Sequence, residues 1–425
     1  MSTRNVRIFK FGGASVKSAN AIKNLAEILK NQPGELVVVI SAIGKTTNAL
    51  ERILESYING ASEIWKEFSK VKEYHLDIIH QLLDSNSNTC IDKVHGIFVE
   101  MEEFLNEPVK GDYNYCYDQF VSYGEILSTT IISTYLNIVG VENDWVDARS
   151  VIRTDDNYRE GNVDFNFSRS SCRKAFNFEN HKMYVTQGFL GGTANGATTT
   201  LGREGSDYTA ALLANMLEAQ DVTIWKDVQG VLNADPRVFK NTKMLDRISF
   251  KEAIELAYCG AQIIHPKTIK PLQNKQISLY VRSFLNPETK GTLVYQTDKK
   301  IGYPPILILK RNQVLISLSP KDFSFVIEDC LSKIFASLYS HRVKANLIQS
   351  SAISFSICVD DEEHFLPNAL NELKNSFEVK YNRGLDLLTI RHYSKEEVEK
   401  QTHNKRVLLE QKTRSTIRVV MEGIE

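Results

Sequence analysis

Residues 36–40, LVVVI, are five aliphatic side chains in a row with no polar alternation, and a strand of that composition has to be covered on both faces. Its neighbours say how. VRIFKF at 6–11 is followed by Gly12 and Gly13, by a stretch placing Ile22, Leu25, Ala26 and Leu29 on one helical face, and by Pro33-Gly34. Strand, helix and strand at that spacing form a βαβ unit, which commits the chain to a parallel sheet with helices on its faces.

The alternation continues. Stripes at Trp65, Phe68, Val71, His75, Ile79 and Leu82 and at Val94, Ile97, Phe98, Met101 and Leu105 predict two helices separated by a polar SNSNT loop, and a third helix carries SYGEILSTT. Further strands are predicted at 143–147, at 182–186, over VTIW and over ISLYVRSF. Ser249-Phe250-Lys251-Glu252 is a capping box whose helix stops at Gly260. Residues 153–180 read as a polar surface excursion. The expected fold is a doubly wound α/β domain over residues 1–296.

In such a sheet ligands gather at the carboxyl ends of the strands. Lys10 ends the first strand beside Gly12 and Gly13, so an ammonium and backbone N–H groups can face a phosphate together. Gly44-Lys45-Thr46 only imitates a P-loop, because Val39 stands where its first glycine belongs. Ser41 and Thr47 still place hydroxyls at the mouth of the sheet, and Glu125 offers a carboxylate that could hold an ammonium. The longest constellation is TQGFLGGTANGATTTLGREGSDYTAALLA at 186–214, a glycine- and threonine-rich loop running into an apolar helix. Arg203, Ser206 and Asp207 stand at that junction, with Ser206 and Asp207 in the N-cap region, and such a helix start predicts a phosphate and substrate site.

Composition narrows the function classes. Fifty-one basic against 52 acidic residues leave a net charge of -1, no basis for nucleic-acid or acidic-membrane binding. Six cysteines without a CxxC pair indicate neither zinc nor a disulfide framework, His75, His80 and His95 read as surface or core-edge groups, and no metal ligands are predicted. Apolar runs fall far short of the roughly 20 residues of a membrane span, so a soluble cytoplasmic protein is expected.

KFGGASV at 10–16, SYGE at 122–125, DAR at 147–149, VTQGF, TTTLGREGSDYTAALLA, DPR at 235–237 and GAQIIHPKT at 260–268 resemble, in order, the motifs of the aspartate kinases, members of the amino acid kinase fold. That resemblance implies transfer of the ATP γ-phosphoryl group, with Mg²⁺, to the side-chain carboxylate of L-aspartate. The product is 4-phospho-L-aspartate, on the route to lysine, threonine and methionine. It further implies that Lys10, Gly12 and Gly13 hold the phosphates, that Lys10 and Asp207 are catalytic, and that Ser41 and Thr47 lie near phosphate and substrate. Glu125 would take the aspartate ammonium and Arg203 its carboxylate, Phe189 and Ser206 would complete the pocket, and Asp227 and Arg237 would contact the nucleotide.

The chain departs from the family pattern at Glu204, in place of a glycine in an anion-binding loop, and at Gln262, where many members carry a phosphate-binding lysine. Lys226, at a position where threonine is common, is the candidate replacement cation for the nucleotide. Leu232, where an aromatic is frequent, should alter only nucleotide packing.

After Gly302-Tyr303-Pro304-Pro305 the order of elements becomes strand, helix, strand, strand, helix, strand, a ferredoxin-like α+β pattern. It resembles the ACT regulatory regions of the same family, with an ACT-like domain over 303–384 and a reduced second unit over 385–425, and implies a homodimer formed through this region. Asn346 and Ala352 stand where lysine-sensitive relatives tend to carry acids, which argues against a lysine effector. Two other functions fit part of the pattern: a related kinase of another acidic substrate such as glutamate, and a catalytically inactive amino-acid sensor.

Overall fold

The computed structural model describes residues 5–30, 32–61, 63–83, 88–261, 264–322 and 325–423. The chain divides into two compact units, one made of Met1–Val231, Met244–Ile254 and Ile263–Lys299, the other of Leu232–Lys243, Glu255–Gln262 and Lys300–Glu425.

In the first unit the strands are β1 (Val6–Phe11), β2 (Glu35–Ile40), β3 (Asp144–Val146), β4 (Met183–Gln187), the hairpin strands β5 (Leu190–Gly192) and β6 (Thr198–Thr200), then β7 (Asp221–Lys226), β8 (Arg247–Ser249), β9 (Ser278–Ser283) and β10 (Thr292–Tyr295). Among the described residues the main sheet runs β3-β4-β2-β1-β7-β9-β10-β8, parallel throughout except where β10 returns against β9. The LVVVI run of β2 lies in the interior of the sheet, paired in parallel with both β1 and β4. Helices α1 (Ala19–Lys30), α2 (Thr46–Ile58), α3 (Ile64–Leu83) and α4 (Asn88–Asn106) pack the predicted stripes into one core with β1 and β2, except for Trp65, which is 43% exposed. Most of the SNSNT loop lies outside the described residues, and its last two residues begin α4.

The SYGEILSTT segment lies in one helix as expected, α6 (Tyr123–Ile138) with Ser122 as its N-cap, and α5 (Tyr113–Val121) precedes it. Three sequence expectations change. Beyond the four-residue α7 (Ala148–Val151), the excursion at 153–180 contains α8 (Phe165–Ala175), capped by the Asp164 carboxylate accepting from the Asn166 and Phe167 N–H groups. Only Ser168 and Cys172 of α8 are buried, too few to write an apolar period into the sequence. The strands β8 and β10, three and four residues long, lie outside the predicted strands. His75, expected at the surface or core edge, is fully buried, and burial holds its imidazole down to about 4.

Helix α9 (Gly205–Leu217) has all thirteen residues buried, so it packs as a central rod between neighbours rather than as an amphipathic cover. The capping-box helix α10 (Phe250–Tyr258) and α11 (Pro266–Lys275) follow, and the Glu252 N–H donates to Ser249 Oγ at 3.1 Å as the capping box requires.

The second unit is built on two fifteen-residue strands, β11 (Ile306–Pro320) and β14 (Phe377–Arg391), which pair antiparallel along their length. With α12 (Glu328–Ser340), β12 (Ala345–Ser350), β13 (Phe355–Asp360) and α13 (Leu366–Leu373) they form the expected ferredoxin-like arrangement, strand order β12-β13-β11-β14. The chain continues through residue 384 inside β14, then makes α14 (Lys395–Thr402), β15 (Val407–Lys412) and β16 (Thr416–Glu422), which extend the same sheet. The six cysteines are free thiols, and no helix among the described residues is long and apolar enough to cross a membrane.

Candidate active site

The end of β1 delivers Lys10 to a buried position, and the first turn of α9 delivers Asp207 opposite it: Lys10 Nζ lies 2.6 Å from Asp207 Oδ1. Lys226, the last residue of β7, approaches the other oxygen of the same carboxylate at 3.8 Å. The arrangement follows from the sheet, since β1 and β7 are adjacent parallel strands and α9 is the crossover leading into β7. Asp207 is 3% exposed. Burial pushes its carboxyl upward, but the two ammonium groups outweigh burial and hold it below the usual carboxylate range. The Asp207 carboxylate is therefore ionised at neutral pH, facing two lysines.

Glu125 sits in the first turn of α6, 3% exposed, and its Oε1 accepts the Ala42 N–H at 3.3 Å. Its Oε2 is buried without a hydrogen-bond partner. Burial raises this carboxyl to about 8, against the opposing pull of the Ala42 N–H, its own N–H and the Lys10 charge. A buried carboxyl oxygen with no donor is costly to leave unmade, and an ammonium ligand would satisfy it. Ser41, on the same loop as Ala42, is fixed through its carbonyl, which accepts from Ser128 Oγ at 2.8 Å. Thr47 is half-buried in the first turn of α2, and Thr46, not Thr47, turns its hydroxyl into the core to donate to the Ile43 carbonyl.

The 186–214 junction is held tightly where it passes α9. Phe189 adopts a left-handed backbone (φ 69°), its N–H donates to Thr209 Oγ1 at 3.0 Å, and its carbonyl accepts from Leu201 at 2.8 Å. A side chain at Gly188 would lie 2.4 Å from Ser206 Cβ, so only glycine lets this turn lie flat against the helix start. Phe189 and Ser206 thus share one wall. Thr209, which bolts the turn to α9 by also donating to the Gly205 carbonyl, was not anticipated; its spacing four residues after Gly205 is the signal that could have found it.

The N-cap differs from expectation. Glu204, with φ 53°, is the cap residue, and Ser206 and Asp207 lie inside the first turn. The Glu204 carboxylate turns toward the start of α11, where its Oε2 accepts the His265 N–H at 3.0 Å, while Lys267 Nζ donates to the Leu201 carbonyl at 3.1 Å. A negative charge in the loop is thereby directed onto another helix N-terminus, where it is favourable. Arg203 is exposed and makes no ion pair or hydrogen bond among the described residues. Gly12 passes 3.4 Å from Lys10 Nζ, measured from where its Cβ would stand, and Gly13 lies against the Ala42 and Gly44 carbonyls. Asp227 is exposed at the end of β7. Arg237 belongs to the other unit, where it forks onto Asp235 at 2.8 Å. Gln262 lies outside the described residues.

Lys10, Asp207 and Lys226 are thus in contact, with Glu125 within reach of the Lys10 field and Ser41, Phe189 and Ser206 held on neighbouring turns. Such a site can bind anions at one end and an ammonium at the other.

Comparison with known proteins agrees in sequence and in fold. The amino acid kinase family matches residues 5–283. The lysine-sensitive aspartokinase 3 of Escherichia coli is 31% identical over 394 residues, 90% of this chain and 86% of that protein. The chloroplastic aspartokinase 1 of Arabidopsis thaliana is 33% identical over 83% of this chain, which spans only 63% of the plant protein. The crystal structure of E. coli aspartokinase III in complex with aspartate and ADP superposes with a TM-score of 0.82 at 29% identity, covering 98% of this chain and 96% of that one. The chain belongs to the amino acid kinase family and, within it, to the aspartokinases.

Proposed function

We propose that this chain transfers the γ-phosphoryl group of ATP to the side-chain carboxylate of L-aspartate, with the Lys10–Asp207–Lys226 cluster receiving the phosphates and Glu125 the aspartate ammonium. The observation that carries the substrate assignment is the unpartnered, buried Glu125 Oε2, which suits an acceptor with a free α-ammonium. The relatives are aspartokinases, and the E. coli structure in the R-state holds aspartate and ADP.

The chemistry asks little proton transfer of the protein. An aspartate side chain, with an ordinary pKa near 3.9, is already ionised at neutral pH. One of its oxygens attacks the γ-phosphorus in line, the bond from phosphorus to the β,γ-bridging oxygen breaks, and ADP carries away that electron pair. The obstacle is the approach of two anions. Lys10 and Lys226 offset that repulsion, and Asp207, held ionised between them, fixes both ammonium groups before substrate arrives. Arg203 would meet the aspartate α-carboxylate, with Phe189 and Ser206 bounding the pocket and Ser41 and Thr47 near the transferred group. Gly12 and Gly13 would let backbone approach the phosphates, while Asp227 would contact the nucleotide. Lys226 would take the cationic role left open by Gln262.

Mg²⁺ would arrive on the nucleotide's own phosphate oxygens, the hard ligands it prefers. Among the described residues no three His, Cys, Asp or Glu side chains converge into a protein cage for it. A homodimer formed through the second unit belongs to the same proposal.

The test is ATP turnover with aspartate, glutamate and acetylglutamate, trapping acyl phosphate as its hydroxamate. Aspartyl hydroxamate is the expected product. A glutamate preference would reassign the substrate, and no hydroxamate from any acid would leave the inactive sensor.

A further inference from the structure

Asp118 plays no part in the chemistry just described, yet it is a fully buried carboxylate on α5. Its Oδ2 accepts the backbone N–H groups of Thr200 at 2.9 Å and Arg159 at 2.8 Å, and its Oδ1 accepts the Thr200 hydroxyl at 2.7 Å. The next residue, Gln119, brackets β6 from the same helix: its Nε2 donates to the Thr198 carbonyl at 2.9 Å and its Oε1 accepts the Thr198 N–H at 3.0 Å. Residues 154–161 are stitched to the same hairpin. The Gly161 N–H donates to the Thr200 carbonyl at 3.0 Å, Thr154 and Thr199 share a hydroxyl hydrogen bond at 2.6 Å, and the Thr154 N–H reaches the Gly192 carbonyl at 3.0 Å. Arg159, itself left-handed at φ 69°, lays its guanidinium over the Tyr117 ring at 4.3 Å.

The hold ends just before it is needed. Residues 198–201 are each pinned, Gly202 turns at φ 76°, and Arg203 follows with an exposed side chain that no neighbour among the described residues fixes. Where Arg203 can aim is therefore inherited from the backbone behind it. Packing alone would be served by an apolar residue at 118, whereas three donors converging on one buried carboxylate fix position and direction together.

We propose that Asp118 is a positioning residue for the acceptor substrate: through Thr200 and Arg159 it sets the loop from which Arg203 meets the substrate carboxylate. The proposal rests on the role given to Arg203 above. Asp118→Asn keeps the shape but replaces one accepting oxygen with a donor that faces donors.

The experiment compares the full-length wild type with Asp118→Asn and, as a milder probe, Thr200→Val, which removes only the hydroxyl. Steady-state constants for both substrates are read alongside amide exchange over residues 198–205. Asp118→Asn should raise the aspartate KM by roughly 10- to 100-fold, with the ATP KM within about twofold and faster exchange over 198–205. Thr200→Val should move the same way by less. A lowered melting temperature with both KM values unchanged, or an equal rise in both, would overturn the positioning role. Should the wild type not phosphorylate aspartate, the function fails separately, and exchange decides the clamp: lost protection supports it and unchanged protection overturns it. If Asp118→Asn does not fold, Thr200→Val decides by the same two readouts.

Discussion

Each unit of this protein buries a polar cluster containing a lysine, and the two clusters are finished differently. In the second unit Lys310 Nζ donates to Asn346 Oδ1 at 2.8 Å, Asn346 Nδ2 donates to Gln313 Oε1 at 2.9 Å and Asp360 Oδ1 at 3.0 Å, and Gln313 Nε2 donates to the same Asp360 oxygen at 2.7 Å. Donors and acceptors there satisfy one another. In the first unit Lys10 and Lys226 crowd a single carboxylate while Glu125 keeps an oxygen with no donor. A closed network rigidifies a sheet, whereas an unbalanced one stores affinity for what is missing. Both Asn346 amide N–H groups are taken up inside the network, by Gln313 Oε1 and Asp360 Oδ1.

The comparison breaks most visibly at Glu125. Glu125→Gln should abolish measurable aspartate turnover, because a neutral amide cannot neutralise the substrate ammonium, while ATP binding by titration persists. The same change carries a stability signature with a definite sign. Glu125 is raised from 4.5 to about 8, so the folded state holds its proton more tightly than the unfolded chain; its contribution is complete below the unfolded pKa and is lost as pH rises toward 8. Denaturation at pH 9 should therefore find Glu125→Gln more stable than wild type by a few kcal/mol, with the gap closing at pH 4. In the wild type, the aspartate KM should fall as pH rises through 8, since substrate no longer has to displace that proton.

Next in size is Lys226→Ala. Removing one of two cations facing the transferred group should cut kcat by about 10²- to 10³-fold with little change in aspartate KM. Near-normal turnover would mean that Lys10 suffices. In the closed cluster, Asn346→Leu should strand Lys310, Gln313 and Asp360 and destabilise the fold by about 2 kcal/mol in urea, leaving turnover unchanged without effector. The smallest effect belongs to Glu204→Gly. The lost hydrogen bond to His265 costs ~1 kcal/mol, and relief of a left-handed backbone returns ~1 kcal/mol, so the unfolding midpoint should hardly move.

Much of this was legible in the residues. The unbroken LVVVI dictated an interior parallel strand, and strand-end positions put Lys10 and Lys226 at one mouth. What stayed hidden depends on partners far along the chain or on backbone that side-chain chemistry does not announce. Glu204 could not be seen to answer His265, 61 residues away, and a left-handed glutamate at a cap leaves no compositional trace. Asp118 looks in YCYDQFV like any solvated helix acid, since nothing local says that Arg159 and Thr200 will arrive beside it. The short strands β8 and β10 pair with each other in parallel, and three or four residues are too few for a period-2 pattern to mark them.

The burial of every residue of α9 has a consequence for how the protein comes into being. A helix with no solvated face gains nothing from forming alone, and thirteen residues are marginal in water by themselves. It acquires its stability when the sheet closes around it. Asp207 then reaches its two lysines at the moment the unit becomes native, so during refolding the appearance of ligand affinity should keep time with the last cooperative step and lag the first recovery of helical signal.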